Sequence, residues 1–178
     1  MINGADGGTT SSVFSDDTLN GSGFANGDVT PSISLDGGLT GVSINADGTL
    51  SVPAGTAEGT YTITYQICEV LNPTNCDTAT AIIEVGAPTI TANDNDFTAA
   101  PIKGADGGGT ASVFPDDRLN GVAFADAAVN PSIISEDGLI GVTINADGTL
   151  TIPVGTPAGT YDVIYQICEA LNPSNCDT

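Results

Sequence analysis

Apolar and polar residues alternate along several short stretches of the chain, and the clearest is GTYTITYQIC, 59–68. Tyr61, Ile63, Tyr65 and Ile67 share one face, while Thr62, Thr64, Gln66 and Cys68 share the other. A period of two predicts a half-buried antiparallel strand. ATAIIEV, 79–85, sets Ala79, Ala81 and Ile83 against Thr80, Ile82 and Glu84, and is expected to pair back on the tyrosine strand as a hairpin. GVSINADGTLSVP, 41–53, reads as strand, turn, strand, with Asn45, Ala46, Asp47 and Gly48 as the turn. Gly48 supplies the left-handed conformation that such hairpin loops need. PTITANDNDFTAAPI, 88–102, reads as a further strand that opens a second domain.

The pattern occurs twice. Shifting the chain by 100 positions aligns residues 1–78 with 101–178 without a gap, and 50 of the 78 pairs are identical. The second copy keeps the inward set of the tyrosine strand as Tyr161, Val163, Tyr165 and Ile167. A period near 100 residues is too long for one turn of a solenoid and suits a whole β-sandwich domain. The expected architecture is all-β: two tandem immunoglobulin-like sandwiches, residues 1–87 and 88–178, of Greek-key antiparallel type. In this frame domain one lacks a counterpart to TITANDNDFTAA, its first strand, and domain two lacks a counterpart to ATAIIEV, its last. The expectation is an excerpt of a longer array, completed by its covalent neighbours.

Composition agrees with short strands joined by turns. There are 23 glycines and 10 prolines, and long Leu-, Glu-, Lys- and Ala-rich helical runs are missing. With no tryptophan and nine aromatics (5 Phe, 4 Tyr), each core must rest on aliphatic residues plus Phe14, Phe24, Tyr61, Tyr65 and their counterparts. Charge narrows the function. A net charge of −20, with only 2 cationic side chains, excludes ordinary binding to nucleic acid or anionic lipid, because both need clustered cations. No run of 18 apolar residues predicts membrane insertion. No charged n-region precedes an apolar stretch, so a secreted protein would carry its leader upstream of this piece.

Catalysis finds little support. Without histidine there is no Ser–His or Cys–His pair. Asp16 and Asp17 are adjacent, and neighbours on a strand point to opposite faces, unlike a glycosidase carboxylate pair. Lys103 suggests an isopeptide cross-link, but its counterpart is Asn3, which places any such link outside the repeat. The expectation is no enzyme.

Two groups of residues carry other chemistry. Cys68 and Cys76, like Cys168 and Cys176, flank the LNP turn of the expected hairpin, so each pair of sulfurs can meet across the ladder. Two local disulfides and an oxidising, extracellular setting are expected; the alternative is reduced thiols capping a strand end. Zinc is improbable without histidine or a Cys-x-x-Cys pair. Acidic and amide residues gather in SDDTLNG (15–21), PDDRLNG (115–121) and TANDNDF (91–97). Calcium takes oxygen ligands on loops, which makes Asp16, Asp17, Asn93, Asn95, Asp116 and Asp117 candidate ligands. The alternative is Asx turns and solvent-facing acids.

GTYTITYQICEVLNPTNCDTATAIIEV and SVFSDDTLNG resemble the tandem immunoglobulin-like repeats of very large surface proteins of Bacteroidetes, flavobacteria especially. ANDNDF followed by SVFPDDRLNG is similar to the opening of bacterial cadherin-like adhesin repeats. The resemblance implies secretion, anchoring through a distant segment, and a stalk, filament or adhesive role, with calcium at the acidic loops. It also implies O-glycosylation at Thr18 and Thr78, where Asp-Thr-Leu and Asp-Thr-Ala look like the acceptor pattern of that phylum. The expected role is a non-catalytic structural repeat in a stalk or fibre, with neighbouring repeats or other copies of the chain as partners. A module that itself recognises a glycan or protein is one alternative, and a strand-exchanging filament subunit is the other.

Overall fold

The chain folds into strands and turns, with four short 3-10 segments and no α-helix. A computed structural model describes all residues, Met1–Thr178. The chain divides into two compact units, Met1–Ala87 and Pro88–Thr178. No helix is long and apolar enough to cross a membrane.

Unit 1 contains β1 (Ile2–Asn3), β2 (Gly8–Ser12), β3 (Val29–Leu35), β4 (Ser43–Ile44), β5 (Thr49–Val52), β6 (Gly59–Glu69) and β7 (Cys76–Gly86). They form a four-stranded sheet in the order β1-β7-β6-β3 and a three-stranded sheet in the order β2-β5-β4. Inward residues of both sheets meet in one core: Leu50 and Val52 from β5, Ile63 from β6, Ile83 and Val85 from β7, with Leu39 from a loop. This is an immunoglobulin-like β-sandwich. β6 behaves as its alternation predicts, with Ile63 and Tyr65 buried and Thr60 and Thr62 exposed.

Three local devices fix the unit. In the turn at 45–48 the Gly48 N–H donates to the Asn45 carbonyl at 2.9 Å. Gly48 has φ +80°, and a Cβ there would lie 2.7 Å from the Phe14 ring, so only glycine fits. The Tyr61 hydroxyl donates to the Ala57 carbonyl at 2.9 Å, a corner of the kind found where sandwich strands begin. Phe14 and Phe24 pack with ring centroids 5.4 Å apart at 59°.

β6 is paired unevenly along its length. β3 pairs with it only from Glu69 back to Thr64. The remaining half, Gly59–Ile63, pairs with β7 alone, at Ala81–Val85. β1 then runs parallel along the other edge of β7, with Ile2 opposite Val85 and Asn3 opposite Gly86.

Unit 2 contains β8 (Ile90–Thr91), β9 (Gly108–Ser112), β10 (Arg118–Leu119), β11 (Val129–Ser135), β12 (Thr143–Ile144), β13 (Thr149–Ile152), β14 (Ile164–Glu169) and β15 (Cys176–Asp177). The sheets run β11-β14-β15 and β12-β13-β9, with β8 and β10 as a separate pair. Val113, Val129, Leu150, Tyr165 and Ile167 form its core. Two differences from the sequence reading stand out. The stretch 88–102 is not a full strand: only Ile90 and Thr91 join a ladder, opposite Leu119 and Arg118. After them the backbone turns to side chains instead, since Ala92 N–H donates to Asp177 and Asn93 N–H to Asp117. The tyrosine strand is also shorter than its twin, starting at Ile164 rather than at the counterpart of Gly59.

Candidate functional site

The turn end of the tyrosine hairpin is built alike in both units. Cys68 lies directly opposite Cys76 in the ladder, and Cys168 opposite Cys176. Their Cα atoms are 4.1 and 4.0 Å apart, and each pair is joined as a disulfide. No free cysteine remains. Closing so short a loop stabilises by about 2–3 kcal/mol in the chain-entropy account.

Inside each loop lies a network that cysteine spacing alone does not reveal. Asn75 donates to the Glu69 carboxylate at 3.1 Å, and hydrogen bonds from Asn72 and Asn75 hold that carboxyl below its usual range. In unit 2 the carboxylate of Glu169, fully buried, accepts from Asn172 at 2.7 Å and Asn175 at 3.1 Å. Asn175 also donates to the Pro88 carbonyl at 2.8 Å, which ties the start of the unit to the hairpin turn. The signal was present as Glu-x-x-Asn-x-x-Asn, but nothing in its spacing shows that the three side chains converge.

The Asp-Asp loops sit elsewhere in each sandwich, at the end of a 3-10 turn. In unit 1 the Tyr65 hydroxyl donates to Asp17 at 2.8 Å, and Asp16 is exposed. In unit 2 Asp117 is fully buried and accepts from the Asn93 N–H at 2.7 Å and from the Tyr165 hydroxyl at 3.2 Å. Burial pushes the Asp117 carboxyl up, against the pull of these hydrogen bonds. Burial likewise pushes both tyrosine hydroxyls well above their ordinary range, with the neighbouring carboxylates adding to it. Asn95 spends its amide on the carbonyls of Asn93 and Val113 and on Tyr165. The structure thus brings Asn93, Asn95, Asp117 and Tyr165 together, with Asp116 exposed beside them. The arrangement fits calcium poorly. The Asn95 amide and the Asp117 oxygens are engaged with protein partners, and nowhere do three or more His, Cys, Asp or Glu side chains gather as a metal group.

Thr18 and Thr78 are both exposed, so a sugar can reach either hydroxyl. No buried side-chain nitrogen or oxygen lacks a hydrogen-bond partner.

Unit 2 carries a groove of about 740 Å³ along Ile102, Gly104, Leu139, Ile152, Pro157 and Tyr161. A second cleft of about 660 Å³ adjoins it across Tyr161, Val163 and Tyr165.

No protein-family model matches the chain, and no curated protein matches it. Among solved structures it is similar to the first three extracellular domains (EC1-3) of Drosophila N-cadherin, at 15% identity and TM-score 0.42, over 84% of this chain and 53% of that one. Human protocadherin-24 EC1-2 follows at 13% identity and TM-score 0.31, over 85% of this chain and 78% of that one. The protocadherin GammaB4 extracellular domain shows 14% identity and TM-score 0.32, over 94% and 30% of the two chains. The chain thus spans about half the length of the N-cadherin structure.

Proposed function

We propose that this chain is a length of an extracellular stalk or fibre, a non-catalytic structural repeat whose partners are neighbouring repeats or other copies of itself. One observation carries the reading: the same disulfide-bridged hairpin, in the same sandwich setting, is built twice at an offset of 100 residues. Small stapled units in series suit a spacer, and disulfides of this kind belong to oxidising compartments. A net charge of −20 keeps such an array soluble and discourages lateral sticking. In this reading Asp17, Asn93, Asn95 and Asp117 work as hydrogen-bonding groups and Asp16 and Asp116 as solvent-facing acids, and calcium is not required. Thr18 and Thr78 serve as glycan acceptors on the outer surface.

The test pairs a mechanical measurement with a binding one. Pulled by its ends, the chain should give two separate unfolding events. Reduction should lengthen each by the loop its disulfide locks, roughly 25–30 Å at full extension. On glycan arrays and immobilised cell surfaces it should show no saturable binding. A single merged unfolding event would contradict the spacer reading, and saturable binding to a surface ligand would replace it with an adhesive module.

A further inference from the structure

The chain holds four Asn-Gly pairs, at 3–4, 20–21, 26–27 and 120–121. Such a pair can modify itself. The glycine nitrogen adds to the asparagine Cγ, the Cγ–Nδ2 bond breaks, and ammonia leaves with the amide proton. Water then opens the five-membered imide to aspartate, or to isoaspartate, in which the main chain runs through the former side chain. Glycine favours the attack because no Cβ shields its nitrogen and its backbone bends freely.

The fold decides which pair is free to react, since the attack needs a loose side chain and a nitrogen that can swing towards it. At 3–4 the Gly4 N–H donates to the Gly86 carbonyl at 2.9 Å, and Asn3 Oδ1 accepts from the Ala5 N–H at 3.0 Å. At 120–121 the Asn120 N–H donates to the Thr89 carbonyl at 2.7 Å, and Asn120 Oδ1 accepts from the Thr89 N–H at 3.3 Å. Asn20 lies at φ +54° in a two-residue turn, closed from both sides by Leu19–Ser22 backbone bonds of 2.8 and 3.2 Å. The pair at 26–27 is held least. Both residues are exposed, and neither the Asn26 side chain nor the Gly27 N–H has a hydrogen-bond partner. Nothing lies within 4 Å of where a Gly27 Cβ would stand. One backbone bond closes this turn, from the Asp28 N–H to the Ala25 carbonyl at 2.8 Å. The exposed Asp28 carboxylate adds a bond from the Ala25 N–H at 2.9 Å.

The same turn carries a structural tie. The Val70 N–H donates to the Asp28 carbonyl at 2.8 Å, which joins the start of β3 to the disulfide hairpin loop. Unit 2 has the equivalent tie from Ala170 to Ala128 at 2.8 Å, but its turn reads Asp126-Ala127-Ala128 and contains no Asn-Gly pair.

We propose that Asn26–Gly27 is a self-modification site: with age Asn26 converts to aspartate and isoaspartate, and the isoaspartyl form releases the Val70–Asp28 tie of unit 1 while unit 2 keeps its own. Isoaspartate inserts one methylene into the main chain between Ala25 and Asp28, inside the ring that the Asp28 N–H closes. That ring then no longer aims the Asp28 carbonyl at Val70. The aspartate product places at 26 the residue that unit 2 already carries at 126, and leaves the tie intact.

The test incubates the whole chain for weeks at neutral pH. Peptide mapping by mass spectrometry follows the amide-to-acid mass gain at each pair, and electron-transfer fragmentation separates isoaspartate from aspartate. Asn26 should convert several-fold faster than Asn20 and about tenfold or more faster than Asn3 and Asn120, because each hydrogen bond that must break first slows the attack. In the isoaspartyl fraction the Val70 amide should exchange faster with solvent, with the Ala170 amide unchanged. Gly27→Ala, which copies Ala127, should suppress the reaction and keep Val70 protected. Conversion at Asn3, Asn20 or Asn120 that matches or outpaces Asn26, or an unchanged rate in Gly27→Ala, would overturn the site. Unchanged exchange at Val70 in the isoaspartyl fraction would overturn its consequence. None of these outcomes depends on whether the parent molecule is a stalk.

Discussion

Truncating the same strand position in the two units should have very different costs. Ile63 and Val163 are equivalent, yet Ile63 sits at 0% exposure between the two sheets, against Ile83 and Val85 of β7. Ile63→Ala removes three buried carbons and leaves a cavity that the flanking strands close only in part, a cost of about 3–4 kcal/mol. For an 87-residue unit that is a fall of roughly 16–22 °C in its melting temperature. Val163 belongs to a stretch with no ladder and is partly exposed. Val163→Ala removes two carbons that are half in water, and should cost about 1 kcal/mol or less. The units must be read separately, so the assay is native-state hydrogen exchange by NMR on the whole chain. Slowly exchanging core amides of β5 and β6 report unit 1, and those of β13 and β14 report unit 2. Similar losses for the two variants, or a larger loss for Val163→Ala, would refute the argument that β7 seals one core and not the other.

Three further outcomes follow from the local geometry. Replacing both Cys68 and Cys76 by Ala should lower the stability of unit 1 by about 2–3 kcal/mol and leave unit 2 unchanged, measured by the same exchange experiment; a loss that spreads to unit 2 would contradict the local role of the bridge. Gly48→Ala forces a Cβ against Phe14 at a left-handed φ of +80° and should cost more than about 1 kcal/mol, whereas Gly55→Ala, with open space around it at φ +78°, should cost less. Asp117 gives a pH signature. Burial raises its folded value above the unfolded one near 3.9, so its stabilising contribution is complete below the unfolded value and is lost as pH rises through the folded value. The melting-temperature difference, wild type minus Asp117→Asn, should therefore move in favour of the wild type between neutral pH and about pH 3. A flat or opposite trend would show that the buried carboxylate is better satisfied than its surroundings suggest. The difference is needed because Asp47 and Asp147, held below their ordinary range by Thr49 and Thr149, lose stability over the same acid range.

Much of the fold was legible where the physics is local. The period-two pattern of 61–67 stated which face of β6 would be buried, and the Asn-Ala-Asp-Gly turn announced itself through Gly48. The length of β14 was not legible. Residues 159–163 keep the Gly, Thr and Tyr of 59–63 but carry Asp162 and Val163 where 59–63 has Thr62 and Ile63, and no stretch within 1–178 takes the place that Ala81–Val85 takes beside 59–63. The contacts of 91–97 were not legible for a related reason. In the fold Asn93 and Asn95 are drawn to Asp117, Val113 and Tyr165, contacts 18 to 72 residues away in sequence. The Glu169–Asn172–Asn175 network was readable as a motif but not as an interaction, because its geometry depends on how the turn folds over its own carboxylate.

One asymmetry separates two units of nearly the same sequence: the tyrosine strand of unit 1 is paired along its full length, and that of unit 2 is not. Amide exchange at 59–63 and 159–163, read in the same tube from the same molecule, tests it most directly. The amides of Thr60–Ile63 that face β7 should be protected by orders of magnitude, to the stability of unit 1, while their counterparts in 160–163 should exchange close to the rate of an open chain, leaving aside the Asp162 N–H, which donates to Asp137 at 3.1 Å. Equal protection of the two segments would contradict the asymmetry.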